Sequence, residues 1–426
     1  MPPETPDVYR APTGTHDLVP PESDRWIEVV SLFARRAARY GYGLVVTPVF
    51  EHREVLQRVG ESTDIVRKEM YEFTDKGDRQ MALRPDGTTP VVRAYVQHRP
   101  TPPWKVWYLA PLFRYERPQK GRYRQHWQLG AEVLGVDDPD VDVEVISFVS
   151  GFLGELGLRR WRLLLNSMGD PEGRREYVAV LRDYLLGHAG HLGPDFTERV
   201  EENPLRILDS KREDWGDVIE RAPQLTEHLG EGSRRHFEAV QRGLDDVGID
   251  YELAPRLVRG FDYYTSTTFE FVSDDLDAAQ NAIAGGGRYD QLAEAMGGPP
   301  TPGIGFGLGI ERLLVVADAE GAVPAGRARL DVFVVDGLGG GREALVLTHE
   351  LRQAGLRTDR AYGGRSVKAQ FKVADRSDAA YAVMLGREEL SRDAVRVKSL
   401  RRDDPETEVP REQLAAWLRS KREFER

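Results

Sequence analysis

Between Arg114 and Arg124 the chain carries five cations, Arg114, Arg117, Lys120, Arg122 and Arg124, and one anion, Glu116. Guanidinium forks match phosphate oxygens, so this density suits a polyphosphate or an RNA backbone, although a charge run can equally be a solvated loop. Pro118 and Gly121 within the run imply a shaped loop. Just beyond it, Gln128 and Glu132 stand four residues apart in a strand-like stretch and so share one face; an amide and a carboxylate there are costly to bury unless they bind something. In LRPDGTTPVVRAY, Pro85 and Gly87 force a turn that presents Asp86 and Thr88 between Arg84 and Arg93. Asp before Gly is also an ordinary turn residue. LVRGFDYYTSTTFEFV encloses Arg259 and Asp262 among Tyr263, Tyr264 and Phe269; the arginine either pairs with Asp262 or reaches an anionic ligand. Finally, Gly285 to Gly287 and the alternating Gly303, Gly305, Gly307 and Gly309 would leave a strand face bare for a ligand ring or another backbone, with Arg312 opening the next helix. No Gly-Lys-Ser/Thr follows and no dinucleotide fingerprint is present. The nine His show no ligand-spaced pair backed by carboxylates, so no metal cage is expected, and neither a Ser elbow nor any Cys is available as a nucleophile. What remains is chemistry by positioning and charge neutralisation, as in phosphoryl or nucleotidyl transfer.

These groups need elements to hold them. Ser23 and Asp24 offer caps before a helical spacing of Trp26, Val29, Val30, Phe33, Ala37 and Tyr40 that stops at Gly41. Val45 to Thr47, Val106 to Tyr115 and Gln128 to Leu134 read as strands, the last two forming a hairpin with a long basic tip. From about 170 to 250 the pattern turns charged and helix-favouring, a helical insertion. Strands resume at Thr267 to Val272, and the glycine-dense stretch leads into a helix over Ile310 to Ala319. Glu320 to Arg329 is the best linker candidate. After it, a strand (Val332 to Val335), helices (Glu343 to Ala354, Val367 to Arg376), strands (Tyr381 to Leu385, Val395 to Val397) and a final helix from Pro410 predict a small α/β domain with helices on a mixed sheet.

The whole chain bounds these readings. Its 426 residues favour two or three domains, and the scattered 42 Gly and 26 Pro exclude collagen-like and low-complexity classes. Zero Cys excludes a disulfide framework and allows a reducing cytosolic setting. No leader and no membrane span are expected, so the reading is a cytoplasmic, soluble protein. The net charge of -11 argues against an indiscriminately basic surface. It is unevenly spread: residues 327 to 426 hold 21 Lys and Arg against 17 Asp and Glu, so the acidity belongs to the larger, N-terminal part.

The motifs FRYERPQKGRYRQ, LVRGFDYYTSTTFE, AGGGRYD and GFGLGIERLL, in that order, resemble the histidyl-tRNA synthetases, a family of class II aminoacyl-tRNA synthetases. GTHDLVP, NPLRILDSK and GGRSVKAQFKVADR extend the resemblance over nearly the whole chain. It implies an α+β fold: residues 1–325 form a class II catalytic domain, an antiparallel six-stranded sheet with flanking helices and the insertion at about 170–250, and residues 329–426 an α/β anticodon-binding domain. The implied reaction is activation of L-histidine by ATP, with Mg2+ on the phosphates, and transfer to the 3' end of tRNA(His), by a homodimer. Carried over by position, Arg114 holds the α-phosphate, Arg312 the γ-phosphate, and Glu116 contacts the adenine edge, with Arg122 and His126 also at the nucleotide. Arg259 neutralises charge at the α-phosphate as the histidine carboxylate attacks. Asp86, Gly87, Thr88 and Gln128 surround the histidine α-amino group; Glu132 and Tyr264 grip the imidazole nitrogens, with Tyr263 beside them. Arg117, Gln119 and Arg124 face the RNA. Two positions depart from the family pattern: Asp86 stands where Glu is usual, and His126-Trp127 where Phe-His is common. The resemblance leaves one rival outside the enzymes, the histidine-binding regulatory subunit of ATP phosphoribosyltransferase, which also tends to carry Asp at the position of Asp86.

Overall fold

The computed structural model describes residues 9–58, 64–119, 121–208, 210, 212–257, 263–276, 281–322 and 330–423. The chain divides into two compact units, Met1–Ala325 and Gly326–Arg426.

Among the described residues the first unit has eleven strands: β1 (Gly43–Leu44), β2 (Phe50–His52), β3 (Glu72–Thr74), β4 (Gln80–Leu83), β5 (Trp104–Phe113), β6 (Gln125–Leu134), β7 (Arg162–Ser167), β8 (Glu252–Leu253), β9 (Thr265–Val272), β10 (Ala282–Arg288) and β11 (Gly303–Gly309). Eight of them form one sheet in the order β1-β5-β6-β11-β10-β9-β7-β8. The six inner strands pair antiparallel throughout, and the two-residue strands β1 and β8 add parallel pairings at the edges. The expected strand over Val45 to Thr47 is not formed; pairing stops at Leu44, and one further bond joins the Val45 amide to the Trp107 carbonyl. A small sheet of order β2-β4-β3, with strands too short to show a period of two, was not expected at all.

Alternation divides the large sheet. Leu129, Ala131, Val133, Ile304, Phe306 and Leu308 turn to one side, where the helices Glu22–Arg39, Pro139–Glu155 and Ile310–Glu320 close the main core. Helix Glu22–Arg39 begins one residue before the expected caps, so Ser23 and Asp24 lie in its first turn; Glu22 and Asp24 at its start and Arg36 and Arg39 at its end suit the helix dipole. The opposite side of the sheet carries glycines and polar groups and is partly roofed by helix Thr88–His98, whose Val91, Val92 and Tyr95 pack with Tyr108 and Tyr289. Helices Pro171–Leu192 and Pro194–Glu202 and the short turns after them build a separate cluster around Tyr177, Leu181, Phe196 and Trp215. Helix Glu231–Asp246 joins the main core through Phe237, Val240 and Leu244.

In the second unit β12 (Val332–Asp336) lies between β13 (Thr358–Arg360) and β14 (Tyr381–Leu385), both parallel to it; β15 (Ala394–Ser399) and β16 (Thr407–Pro410) continue antiparallel. Val332 and Val334 face helices Arg342–Gln353 and Leu414–Glu423, and Phe333 and Val335 face helix Val367–Arg376, so one alternating strand supplies two cores. β13 and β16 escaped the sequence reading, and the last helix starts four residues after Pro410.

Candidate active site

Register decides what the polar face of the sheet presents. Glu132 on β6 is paired with Gly305, Gly130 with Gly307, and Gln128 with Gly309, so Gln128, Gly130 and Glu132 share a face with the alternating glycines of β11. The glycines are there for space. A Cβ on Gly305 would overlap the Glu132 carboxylate, one on Gly307 the Gln128 amide, and one on Gly130 the ring of Tyr108. Gly87 is likewise pressed against Tyr108. The side chains of the pocket therefore lie flat across bare backbone.

At the centre of this pocket Glu132 is wholly buried. Its Oε1 accepts from the Thr88 hydroxyl at 2.7 Å and its Oε2 from the Tyr289 hydroxyl at 2.5 Å. Burial pushes its pKa up to about 8, against the lowering effect of those two donors. The rings of Tyr263 and Tyr264 lie 4.7 Å apart at a tilt of 43°, and Tyr263 meets Tyr289 edge-on at 6.0 Å, giving an aromatic wall. Tyr108 donates to Gln128 Oε1 at 3.3 Å. Asp86 is buried, which raises its pKa, and its Oδ1 accepts from the Thr89 amide at 2.7 Å, capping the helix that carries Thr88. Thr88 and Glu132, expected at opposite ends of a bound amino acid, are thus bonded to each other. Tyr108 and Tyr289 were not singled out as site residues; the signal available was the set of glycines that must make room for them.

Beside the pocket opens a cavity of about 210 Å³ lined by Arg114, Glu116, Arg122, His126, Gln128 and Arg312, with Gly285, Gly307 and Gly309 in its floor. Arg114 is fixed by a bond from Nε to the Pro85 carbonyl, 2.9 Å, and its Nη1 lies 3.9 Å from Glu116 Oε1. Arg122 forms an ion pair with Glu116. Arg312 donates to the Ala282 carbonyl at 3.2 Å. Burial and the cations Arg114 and Arg312 hold His126 down at about 3, so its ring is neutral at physiological pH. Three guanidinium groups, a neutral ring and a backbone floor make an anion-attracting slot with room for a flat heterocycle. Glu311, pushed up to about 7 by burial, accepts from the Trp127 amide at 2.9 Å and so ties the helix that carries Arg312 to β6.

The loop from Arg114 to Arg124 closes the β5–β6 hairpin. Arg117 and Gln119 are exposed, whereas Arg124 folds back, its guanidinium 4.0 Å over the Tyr115 ring and its Nε bonded to the Glu116 carbonyl. Gly14 accepts from the Arg124 amide, so the GTHD segment braces the same loop. Arg84 is a structural clamp that donates to Thr47, Pro48 and Pro111, and Arg93 pairs with Glu51. Arg259, Asp262 and Lys120 lie outside the described residues. Among the described residues, no group of three or more His, Cys, Asp and Glu could hold a metal ion, and no helix is long and apolar enough to cross a membrane.

An antiparallel sheet with a cationic slot beside an enclosed polar pocket, followed by a small α/β unit, is the arrangement of a class II aminoacyl-tRNA synthetase. Comparison with known proteins narrows the class. A family model described as histidyl-tRNA synthetase matches residues 14–171 and 192–313, and one described as an anticodon binding domain matches residues 333–421. The histidine–tRNA ligase of Rhodococcus erythropolis is 47% identical over 416 residues, 96% of this chain and 97% of that one; that of Rubrobacter xylanophilus is 48% identical over 397 residues, 90% and 92%. The crystal structure of Staphylococcus aureus histidyl-tRNA synthetase superposes with a TM-score of 0.81 at 35% identity, covering 96% of this chain and 100% of that chain. This chain belongs to the histidyl-tRNA synthetase family.

Proposed function

We propose that the protein is a histidine–tRNA ligase: it joins the carboxylate of L-histidine to the α-phosphate of ATP, releasing pyrophosphate, and passes the histidyl group to the 3' end of tRNA(His). The observation that carries this reading is the adjacency of a buried carboxylate pocket and a three-arginine slot on one glycine-bared sheet face. A regulatory subunit that only binds histidine would have no use for the slot, and the relatives that match this chain over nearly their whole length are histidine–tRNA ligases.

In this reading Glu132 and Tyr264 take the two imidazole nitrogens, with Tyr263 alongside. Asp86, Gly87, Thr88 and Gln128 surround the α-amino group. A rival amino acid without two polar ring atoms forgoes the ring bonds to Glu132 and Tyr264, at a cost of about 1–3 kcal/mol, although Glu132 keeps its bonds from Thr88 and Tyr289. Arg114 holds the α-phosphate between the two sites, Arg312 the γ-phosphate, and Glu116 with Arg122 the adenine end; the neutral ring of His126 can lie against adenine without competing for the phosphates. Arg259 supplies a further positive charge at the pentacoordinate phosphorus. Each such preorganised donor is worth roughly 3–4 kcal/mol in the transition state. A magnesium ion, carried on the ATP phosphates, would supply further charge neutralisation there; the carboxylates beside the slot are held by protein groups, Glu116 by Arg122 and Glu311 by the Trp127 amide. Arg117 and Gln119 serve the RNA side, Arg124 bracing their loop through the Tyr115 ring and the Glu116 carbonyl rather than facing outward, and residues 329–426 serve the anticodon. A homodimer is what membership of the family implies; Leu44 of β1, Val46 after it and Phe50 of β2 are exposed apolar residues available to a second copy. A cytoplasmic location follows from the translation role.

Histidine-dependent exchange of pyrophosphate into ATP, and charging of histidine tRNA by this chain alone, test the reading; a purified protein that binds histidine and shows neither is a regulatory protein. Arg259→His is expected to lose exchange while histidine binding survives.

A further inference from the structure

The two residues that flank Tyr289 do not face the pocket, yet both are tightly engaged. Arg288 is 1% exposed. Its Nε donates to Asp142 Oδ2 at 2.8 Å, its Nη2 to the Asp138 carbonyl at 2.8 Å and its Nη1 to the Val136 carbonyl at 3.3 Å, so one guanidinium gathers the start of helix Pro139–Glu155. Asp142 also meets His236 of helix Glu231–Asp246 at 3.3 Å. On the other flank, Asp290 Oδ1 accepts from the Gly303 amide at 3.1 Å, and its Oδ2 accepts from the Thr265 hydroxyl at 3.0 Å, while that hydroxyl accepts from the Asp290 amide at 3.2 Å.

Thr265 follows Tyr264, and its doubled bond bridges an irregular part of the sheet. Register between β9 and β10 slips between Gly287 and Arg288, and Ser266 takes a left-handed φ of 44°. A β-bulge re-aims the neighbouring side chains, and a non-glycine residue holds this conformation only when its surroundings fix it. Ser266 itself exchanges backbone bonds with Gly169 and Met168, and Arg174 donates to the Tyr264 carbonyl at 2.8 Å. The side chains that fix the two strand residues next to the tyrosines are Asp290, through Thr265, and Arg288, through the start of helix Pro139–Glu155.

We propose that Thr265, Asp290 and Arg288 are positioning residues for the histidine pocket, a cluster that sets where Tyr264 stands beside Tyr263 and where Tyr289 reaches Glu132. They touch no substrate; they act through the two tyrosines. The consequence is selective. Loss of the cluster loosens the wall against the imidazole and leaves the nucleotide slot as it was, because the slot is built on β6, β11, the helix of Arg312 and only the first residues of β10, Ala282 to Gly285, at the other end of that strand from Arg288.

The inference rests on the ligase reading, and one assay separates the two. Pyrophosphate exchange is measured for the wild-type chain and for Thr265→Val, which keeps side-chain shape and removes both bonds to Asp290, with Thr265→Ser as the conservative rescue. Loss of a buried hydrogen-bond pair is expected to raise the histidine KM about tenfold, with kcat and the ATP KM within about twofold of wild type, and Ser is expected to restore the histidine KM. An unchanged histidine KM, or equal rises in the histidine and ATP KM, overturns the proposal. If the Val variant does not fold, Asp290→Asn is read against the same criteria. Absence of exchange in the wild type defeats the ligase reading instead.

Discussion

Glu132 is the residue whose ionisation the fold disturbs most consequentially. Its pKa is raised from an ordinary 4.5 to about 8 because two hydrogen-bond donors do not offset complete burial. Since the folded value lies above the unfolded one, folding takes up a proton: this contribution to stability is full below about pH 4.5 and is lost as pH rises through about 8. The ligand-free chain is therefore expected to lose thermal stability between pH 5 and 8.5 more steeply than Glu132→Gln, compared by calorimetry; parallel curves would mean that Glu132 is ionised throughout. Much of this pocket was legible one residue at a time. Gln128 and Glu132 fall on one face because a strand alternates, and Thr88 is presented because Pro85 and Gly87 force a turn. The bond between Thr88 and Glu132 was not legible, because it joins residues 44 positions apart through the docking of helix Thr88–His98 on the sheet.

β11 is the element on which both halves of the site depend. Its pocket-facing positions are glycine for different reasons. Beside Gly305 and Gly307 the space is filled by Glu132 and Gln128, whereas a Cβ at Gly309 would meet nothing within 4 Å. Gly305→Ala is accordingly expected to weaken histidine binding about tenfold or more, since overpacking a fixed site costs roughly 1–3 kcal/mol, with the ATP KM little changed. Gly309→Ala is expected to leave stability and histidine binding intact and to raise the ATP KM by putting a methyl group into the floor of the slot. Titration calorimetry with histidine, beside steady-state kinetics, distinguishes the two. The hairpin of β5 and β6 and the helix after β11 could be read from sequence because each is long enough to show its period. β2, β3, β4 and β13, with three or four residues each, carry no periodic signal; β13 pairs with the edge of the longer β12, whereas β2, β3 and β4 pair only with one another.

At the scale of the whole molecule, the second unit has a core on each face of its own sheet, and residues 330–423 are expected to unfold cooperatively when expressed alone, with no exchange activity; a broad, non-cooperative melt would make the division only geometric. Charge is apportioned just as unevenly in the larger unit. The run of five cations in the β5–β6 loop promises more contact with a polyanion than the fold delivers, since Arg114 and Arg122 turn into the slot and Arg124 lies on Tyr115. Among the described residues of that loop, Arg117 is the arginine left facing outward. RNA association through this loop should consequently displace few condensed counterions. The logarithm of the tRNA binding constant is then expected to fall only shallowly with the logarithm of salt, and Arg117→Gln to reduce that slope by up to about one unit while Arg124→Gln leaves it unaltered. An acidic larger unit whose loop gives up so few ions gains little electrostatic capture at that end of the RNA, so a charged product is not held there by salt-sensitive contacts.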